Sequence, residues 1–112
     1  MPKRVPVKKL DRIRKHRYIL KKLAAAKAND RRKMIMQAPK QLFTVFKDLC
    51  QLVTAGHIRI GRAKKHMKLV TEISNGDNST IKTLAQQRGA GFGAIISSLL
   101  PIASSLISKI FK

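Results

Sequence analysis

Gly89 to Ser108 is a run of twenty residues without a charge, in a chain whose 25 Lys and Arg outnumber 5 Asp and Glu for a formal net charge of +20. Those two facts constrain the fold more than anything else in the 112 residues. The cations repel one another and must stay near water or a polyanion, whereas the charge-free run must hide from water. A chain of this length supports one modest domain. The charge falls along it in steps. Residues 1–40 hold fifteen cations and two acids, residues 41–88 eight cations and three acids, and residues 89–112 only Lys109 and Lys112. The sequence therefore divides into a basic arm and helix (1–38), an amphipathic helical core (39–88) and a Gly-entered apolar tail helix (89–112).

Periodicity predicts an all-α protein, small and loosely packed, with its core around 39–73. Pro2 and Pro6 disfavour helix at the start and suggest an extended arm. From Lys8 to Lys27 good helix formers run without Gly or Pro, with a thin apolar stripe of Leu10, Ile13, Leu20, Leu23 and Ala24. Asn29 or Asp30 is placed to cap a short basic helix through Gln37. Pro39 suits the first turn of the next helix, in which Leu42, Val45, Phe46, Leu49 and Val53 recur at three- and four-residue steps. Gly56 ends it. Residues 62–74 read as a helix with Ala63, Met67, Val70 and Ile73 inward. A loop follows over Ser74–Ser79, and Asn78 or Ser79 is placed to cap a last polar helix to about Gln87.

The tail has the length a helix needs to cross a hydrocarbon core of roughly 30 Å. Gly89, Gly91 and Gly93 suggest a flexible start, and Pro101 a kink or a division. At 100° per residue Phe92, Ile95, Ile96, Leu99, Ile102, Leu106 and Ile110 share a broad apolar face, and Ala94, Ser97, Ser98, Pro101, Ser104, Ser105 and Ser108 the other. Core helices ordinarily carry charge on their solvent side, and this one has none before Lys109. That favours contact with a membrane or a capsid interior over plain core packing. Phe92, Ile95, Ile96, Leu99, Leu100, Ile102, Leu106, Ile107, Ile110 and Phe111 are the candidate membrane-binding residues. If the tail spans a bilayer, its basic N-terminal side stays cytoplasmic.

Catalysis is not expected. The acids Asp11, Asp30, Asp48, Glu72 and Asp77 are scattered. His16, His57, His66 and Cys50 share no metal-ligand spacing, so no metal or cofactor is implied. Each histidine reads as a solvated residue of a basic face, and Cys50 as a buried apolar residue. Gly89-Ala-Gly-Phe-Gly93 follows no strand and precedes no Lys-Ser/Thr, which excludes a phosphate loop. Five aromatic rings and no Trp argue against a stacking platform for single strands. What remains is the cation excess. Lys8, Lys9, Arg12, Arg14, Lys15, Arg17, Lys21, Lys22, Arg31, Arg32 and Lys33, with Arg62, Lys64, Lys65 and Lys68, are the candidate phosphate contacts. They would set affinity for nucleic acid, foremost double-stranded DNA, without reading sequence. Anionic membranes offer a second attraction, and the same clusters fit nuclear import. No small-molecule substrate is expected.

The order of parts carries a resemblance. The Arg-Lys-His-Arg-Tyr-Ile-Leu-Lys-Lys-Leu stretch (14–23), a second amphipathic helix, and Gln87-Arg-Gly-Ala-Gly-Phe-Gly93 opening into Leu99-Leu-Pro-Ile102 resemble small proteins of adintoviruses and Polinton/Maverick elements. Those proteins are compared with the adenovirus core protein X, the precursor of the mu peptide. The residues that match the signature are Arg88, Gly89, Gly91, Phe92, Leu99, Leu100, Pro101 and Ile102. The resemblance implies a non-enzymatic virion core protein on packaged DNA, found in the virion and the host nucleus, with a tail that touches membrane or capsid. Two other classes fit parts of the pattern. A cellular histone-like or ribosomal protein would explain the charge, and a tail-anchored or pore-forming cationic membrane protein the tail.

Overall fold

The computed structural model describes residues 6–111, and of Ala28 and Arg62 only the backbone. Six α-helices and one 3-10 segment follow in order: α1 (Val7–Ala25), α2 (Ala28–Gln37), α3 (Lys40–Thr54), the 3-10 segment Gly61–His66, α4 (Met67–Asn75), α5 (Asn78–Gln87) and α6 (Gly89–Ile110). No strand occurs among the described residues, so the chain is all-α. The extended arm proposed around Pro2 lies outside the described residues.

Local chemistry sets most boundaries. Pro39 sits at the N-cap of α3, and Gly56, at φ 81°, takes the left-handed conformation that stops it. Asp77 caps α5 by accepting from the Thr80 N–H at 2.8 Å; the cap falls one residue before Asn78, because the Asp77 backbone is extended there. Asn29 and Asp30 do not cap α2. They lie inside its first turn, and Lys27 holds the N-cap position without a side-chain bond.

α6 is where structure and expectation diverge most. It is one continuous helix through Pro101, neither divided nor separate. The carbonyl that Pro101 leaves without its helical partner belongs to Ser97, and both residues lie on the exposed side of the helix. Inward, Phe92, Ile95, Ile96, Leu99, Leu100, Ala103 and Ile107 are buried. α6 runs antiparallel to α1: Arg31, just after α1, reaches Gly89, and the Arg14 guanidinium lies 4.7 Å from the ring centre of Phe111. The α1 stripe of Leu10, Ile13, Leu20 and Leu23 is fully covered. α3 closes the third side, with Phe46 edge-on to Phe92 at 5.3 Å and 78°.

Three expectations are thereby corrected. The core is not confined to 39–73 but runs as one cluster from Leu10 to Ile107, shared by the basic helix, the amphipathic middle and the tail. It is not loosely packed: the Cα radius of gyration is 13.0 Å, which matches a compact domain of about this length (about 13 Å for 100 residues). Met67 does not face inward. It is 40% exposed: α4 turns Leu69, Val70, Ile73 and Ser74 inward, and Met67 in its first turn lies about 90° from the centre of that face.

If α6 is integral to the core, Phe92→Ala should remove about 3–5 kcal/mol, the range for deleting a buried aromatic ring. Total stability for such a domain is about 5–15 kcal/mol, so urea titration followed by circular dichroism should show a large fall in midpoint. A tail that packs on nothing would leave the midpoint unchanged.

Candidate nucleic-acid interface

The cations singled out from sequence separate into two groups. Lys8, Arg14, Lys15, Arg17, Lys21 and Lys22 on α1, Arg32 and Lys33 on α2, Lys64 and Lys65 in the 3-10 segment, and Lys68 on α4 are exposed. Lys9 and Arg31, half-buried, and Arg12, its side chain 45% exposed, bond to partners on other elements of the fold. The Arg62 side chain lies outside the described residues, as do Lys3 and Arg4.

Arg12 reaches from α1 to Asp48 of α3 with two bonds, Nε to Oδ2 at 2.7 Å and Nη2 to Oδ1 at 3.0 Å. Asp48 is 3% exposed, so this pair fixes the α1–α3 crossing, and the hydrogen bonds to Asp48 raise the Arg12 pKa. Beside it the half-buried Lys9 donates to Gln51, which in turn donates to the Ser74 carbonyl on α4 at 3.1 Å. Arg31 is held more fully still. Nε donates to Leu23 O at 3.0 Å, Nη2 to Ala26 O at 2.8 Å and Nη1 to Gly89 O at 3.1 Å. One guanidinium thus satisfies carbonyls left open at the end of α1 and ties them to the first turn of α6.

This clamp explains the glycines. A Cβ at Gly93 would stand 2.8 Å from the Arg31 guanidinium carbon, and one at Gly91 3.0 Å from the Leu69 side chain. Gly91 and Gly93 therefore permit close approach inside a formed helix, rather than giving it a flexible start.

Three of the five acids hold partners in the fold. Asp48 is used by Arg12. Asp11 pairs with Arg14 at 2.6 Å and Lys15 at 3.1 Å, and its pKa falls below the usual value through those two bonds. The Asp77 pKa is likewise lowered by its bonds from Thr80. None of these three ion pairs takes up Lys8, Arg17, Lys21 or Lys22. Tyr18, 69% exposed, stands among them with the Lys22 ammonium 5.0 Å from its ring centre. Arg59, Arg88 and Lys109, not among the phosphate contacts expected from sequence, are also exposed; Arg59 and Lys109 are isolated along the chain, and only folding brings them to one groove.

The remaining candidates behave as structural residues. Cys50 is buried at 1% exposure, and burial pushes its thiol up to about 12. The three histidines are half-buried rather than solvated, His16 with a ring nitrogen 2.9 Å from the Arg12 carbonyl. No group of three or more metal-ligating side chains occurs among the described residues. All ten candidate membrane residues of α6 are buried or half-buried against the bundle, including Ile102, Leu106, Ile110 and Phe111 at its margin. Comparison with protein-family models, curated proteins and solved structures gives no match.

Two outcomes check this division. Arg31→Lys keeps the charge but cannot reach three carbonyls, so it should cost about 1.5–3 kcal/mol in thermal or urea melts. Its salt dependence of DNA binding should stay that of the parent protein. Cys50 should resist a thiol-specific alkylating agent in buffer and react fully once urea unfolds the chain.

Proposed function

We propose that the protein is a non-enzymatic nucleic-acid-neutralising protein that binds double-stranded DNA without reading its sequence. The observation that carries this reading is the exposed cation set outside the internal ion pairs, chiefly Lys8, Arg17, Lys21 and Lys22 along α1. A folded domain with a formal charge of +20 repels itself, and a polyanion relieves that repulsion while releasing its own counterions. The resemblance to core-protein-X-like proteins suggests the setting: DNA packaged in a virion, delivered to the host nucleus. A histone-like cellular protein would use the same surface.

A second reading rests on α6, which is long and apolar enough to cross a membrane by length and composition. Its exposed side, Ser97, Pro101, Ser105 and Ser108, carries no charge that insertion would have to bury. For α6 to enter a bilayer it would have to leave α1, exposing Leu10, Ile13, Leu20 and Leu23. Flotation of the full chain on neutral-lipid vesicles at about 1 M salt, where the Debye length is about 3 Å, isolates such insertion from charge attraction.

The DNA reading is tested by the slope of log affinity against log salt concentration. Arg17→Ser/Lys21→Ser/Lys22→Ser should weaken binding to unrelated duplex sequences alike and flatten the slope by about 0.9 for each phosphate that is no longer neutralised. A slope that does not change with these residues removed would assign the cations another partner.

A further inference from the structure

The exposed side of α6 is a neutral strip between two cationic rows. Ala90, Ser97, Pro101, Ser105 and Ser108 face solvent along it. On one flank lies α1. Arg14, Arg17 and Lys21 follow one another at three- and four-residue steps, Arg14 at the end of the row also holding Asp11 and lying over Phe111, and Lys21 lines a groove of about 400 Å³ with Ser97, Pro101 and Ser104 of α6. The other flank belongs to the connector and the 3-10 segment. Arg59 lines a second groove, of about 370 Å³, with Ile102, Ser105 and Lys109. From there the chain runs back along α6: a Cβ at Gly61 would lie 3.5 Å from Ile102, and one at Gly91 would lie 3.7 Å from His66. The exposed Lys64 and Lys65 fall between those two points. At 100° per residue the α6 positions lining the two grooves turn to opposite sides of the helix.

Packed helices lie 8–10 Å apart, so rows on both neighbours of α6 stand about 16–20 Å from each other. Two parallel lines of negative charge at that order of separation, with space between them for an uncharged helix, are what the major groove of B-form DNA offers. Its free width is about 12 Å, to which the radii of the phosphate rows on either side add, and it admits an α-helix. Duplex RNA does not offer the same, since its A-form major groove is deep and narrow. The small side chains of the strip leave nothing to hold the backbones away from the rows.

On the reading that this is a DNA-binding protein, we infer that α6 lies over the major groove with its Ser-Pro-Ser strip, and that the rows Arg14/Arg17/Lys21 and Arg59/Lys64/Lys65 each follow one of the two flanking phosphate backbones. Duplex DNA is then preferred to duplex RNA of the same sequence. The face is distinct from Lys8 and Lys22, which contribute general charge further round α1.

The test compares the full-length protein on a DNA duplex and its RNA counterpart at one salt concentration, with dimethyl sulfate reporting guanine N7 in the major groove. Binding to DNA should be tighter by about tenfold or more, with N7 protected and with methyl green, a major-groove ligand, competing better than netropsin, a minor-groove one. Ser97→Trp/Ser105→Trp should lose about tenfold in DNA affinity and the N7 protection. Thr83→Trp, on the exposed side of α5, should lose neither. Equal affinity for the two duplexes, or netropsin as the better competitor, would overturn the inference while leaving DNA binding intact; both readouts use the unmodified protein, whatever the folding of the variants. Tighter binding to phosphatidylserine vesicles than to DNA would overturn it in favour of a lipid surface on the same face. Absence of salt-sensitive binding to either duplex would overturn the DNA reading itself.

Discussion

The antiparallel contact between α1 and α6 carries the rest of the structure, because neither helix is stable in water without the other. α1 has nineteen residues and an apolar stripe only four fully covered side chains long, on a helix otherwise crowded with like charges. Most of a helix's stability in a protein comes from packing such a stripe, and here the repulsion works against the helix on its own. α6 has the opposite defect, an apolar surface too broad for one strip of serines to keep in solution. Packed together, each removes the other's liability, and α3 seals the remaining side through Phe46 on Phe92. The charge-free helix is thus the counterpart that lets a strongly basic helix fold at all.

The polar fastenings of that contact sit at its ends. Arg31 holds the C-terminus of α1 to the N-terminus of α6, and Arg14 over Phe111 marks the other end. Between them the interface is apolar, and on other sides of α6 two glycines permit close approach to Arg31 of α2 and Leu69 of α4. Arg12 with the buried Asp48 sets the crossing of α1 on α3. Three of the most conspicuous cations in the sequence, Lys9, Arg12 and Arg31, serve the fold in this way. Most of the others stay on the surface, Arg14 and Lys15 sharing Asp11 there and Lys8, Arg17, Lys21 and Lys22 standing outside the ion pairs of the described residues. Their mutual repulsion opposes compactness and is relieved by salt or a polyanion. Stability and binding are coupled here through one charge distribution.

Helical character was legible in the sequence wherever apolar residues recurred at three- and four-residue steps. That pattern depends only on helix geometry, and Leu42, Val45, Phe46 and Leu49 on α3 show it with little interference. The stops were legible too, since Gly56 acts through its own backbone freedom. Met67 was not legible, because it lies at the margin of the α4 apolar face, where burial depends on what packs beside it rather than on spacing.

What the sequence determined by itself was the all-α class, the amphipathic faces, the burial of Cys50 and the excess of cations, all of which follow from local geometry and charge. What only the tertiary structure decided was the use made of each part. An apolar helix with a small-residue face satisfies a bilayer and a protein core equally well by length and composition. In the fold it packs on α1, whose stripe at residues 10–23 meets it from 66 or more positions away in the chain. The same holds for the arginines. Arg31 and Arg32 are adjacent and chemically identical, yet one is fixed on three carbonyls and the other meets solvent. No local pattern separates them, because the carbonyl of Gly89 reaches Arg31 only when α6 folds back along α1.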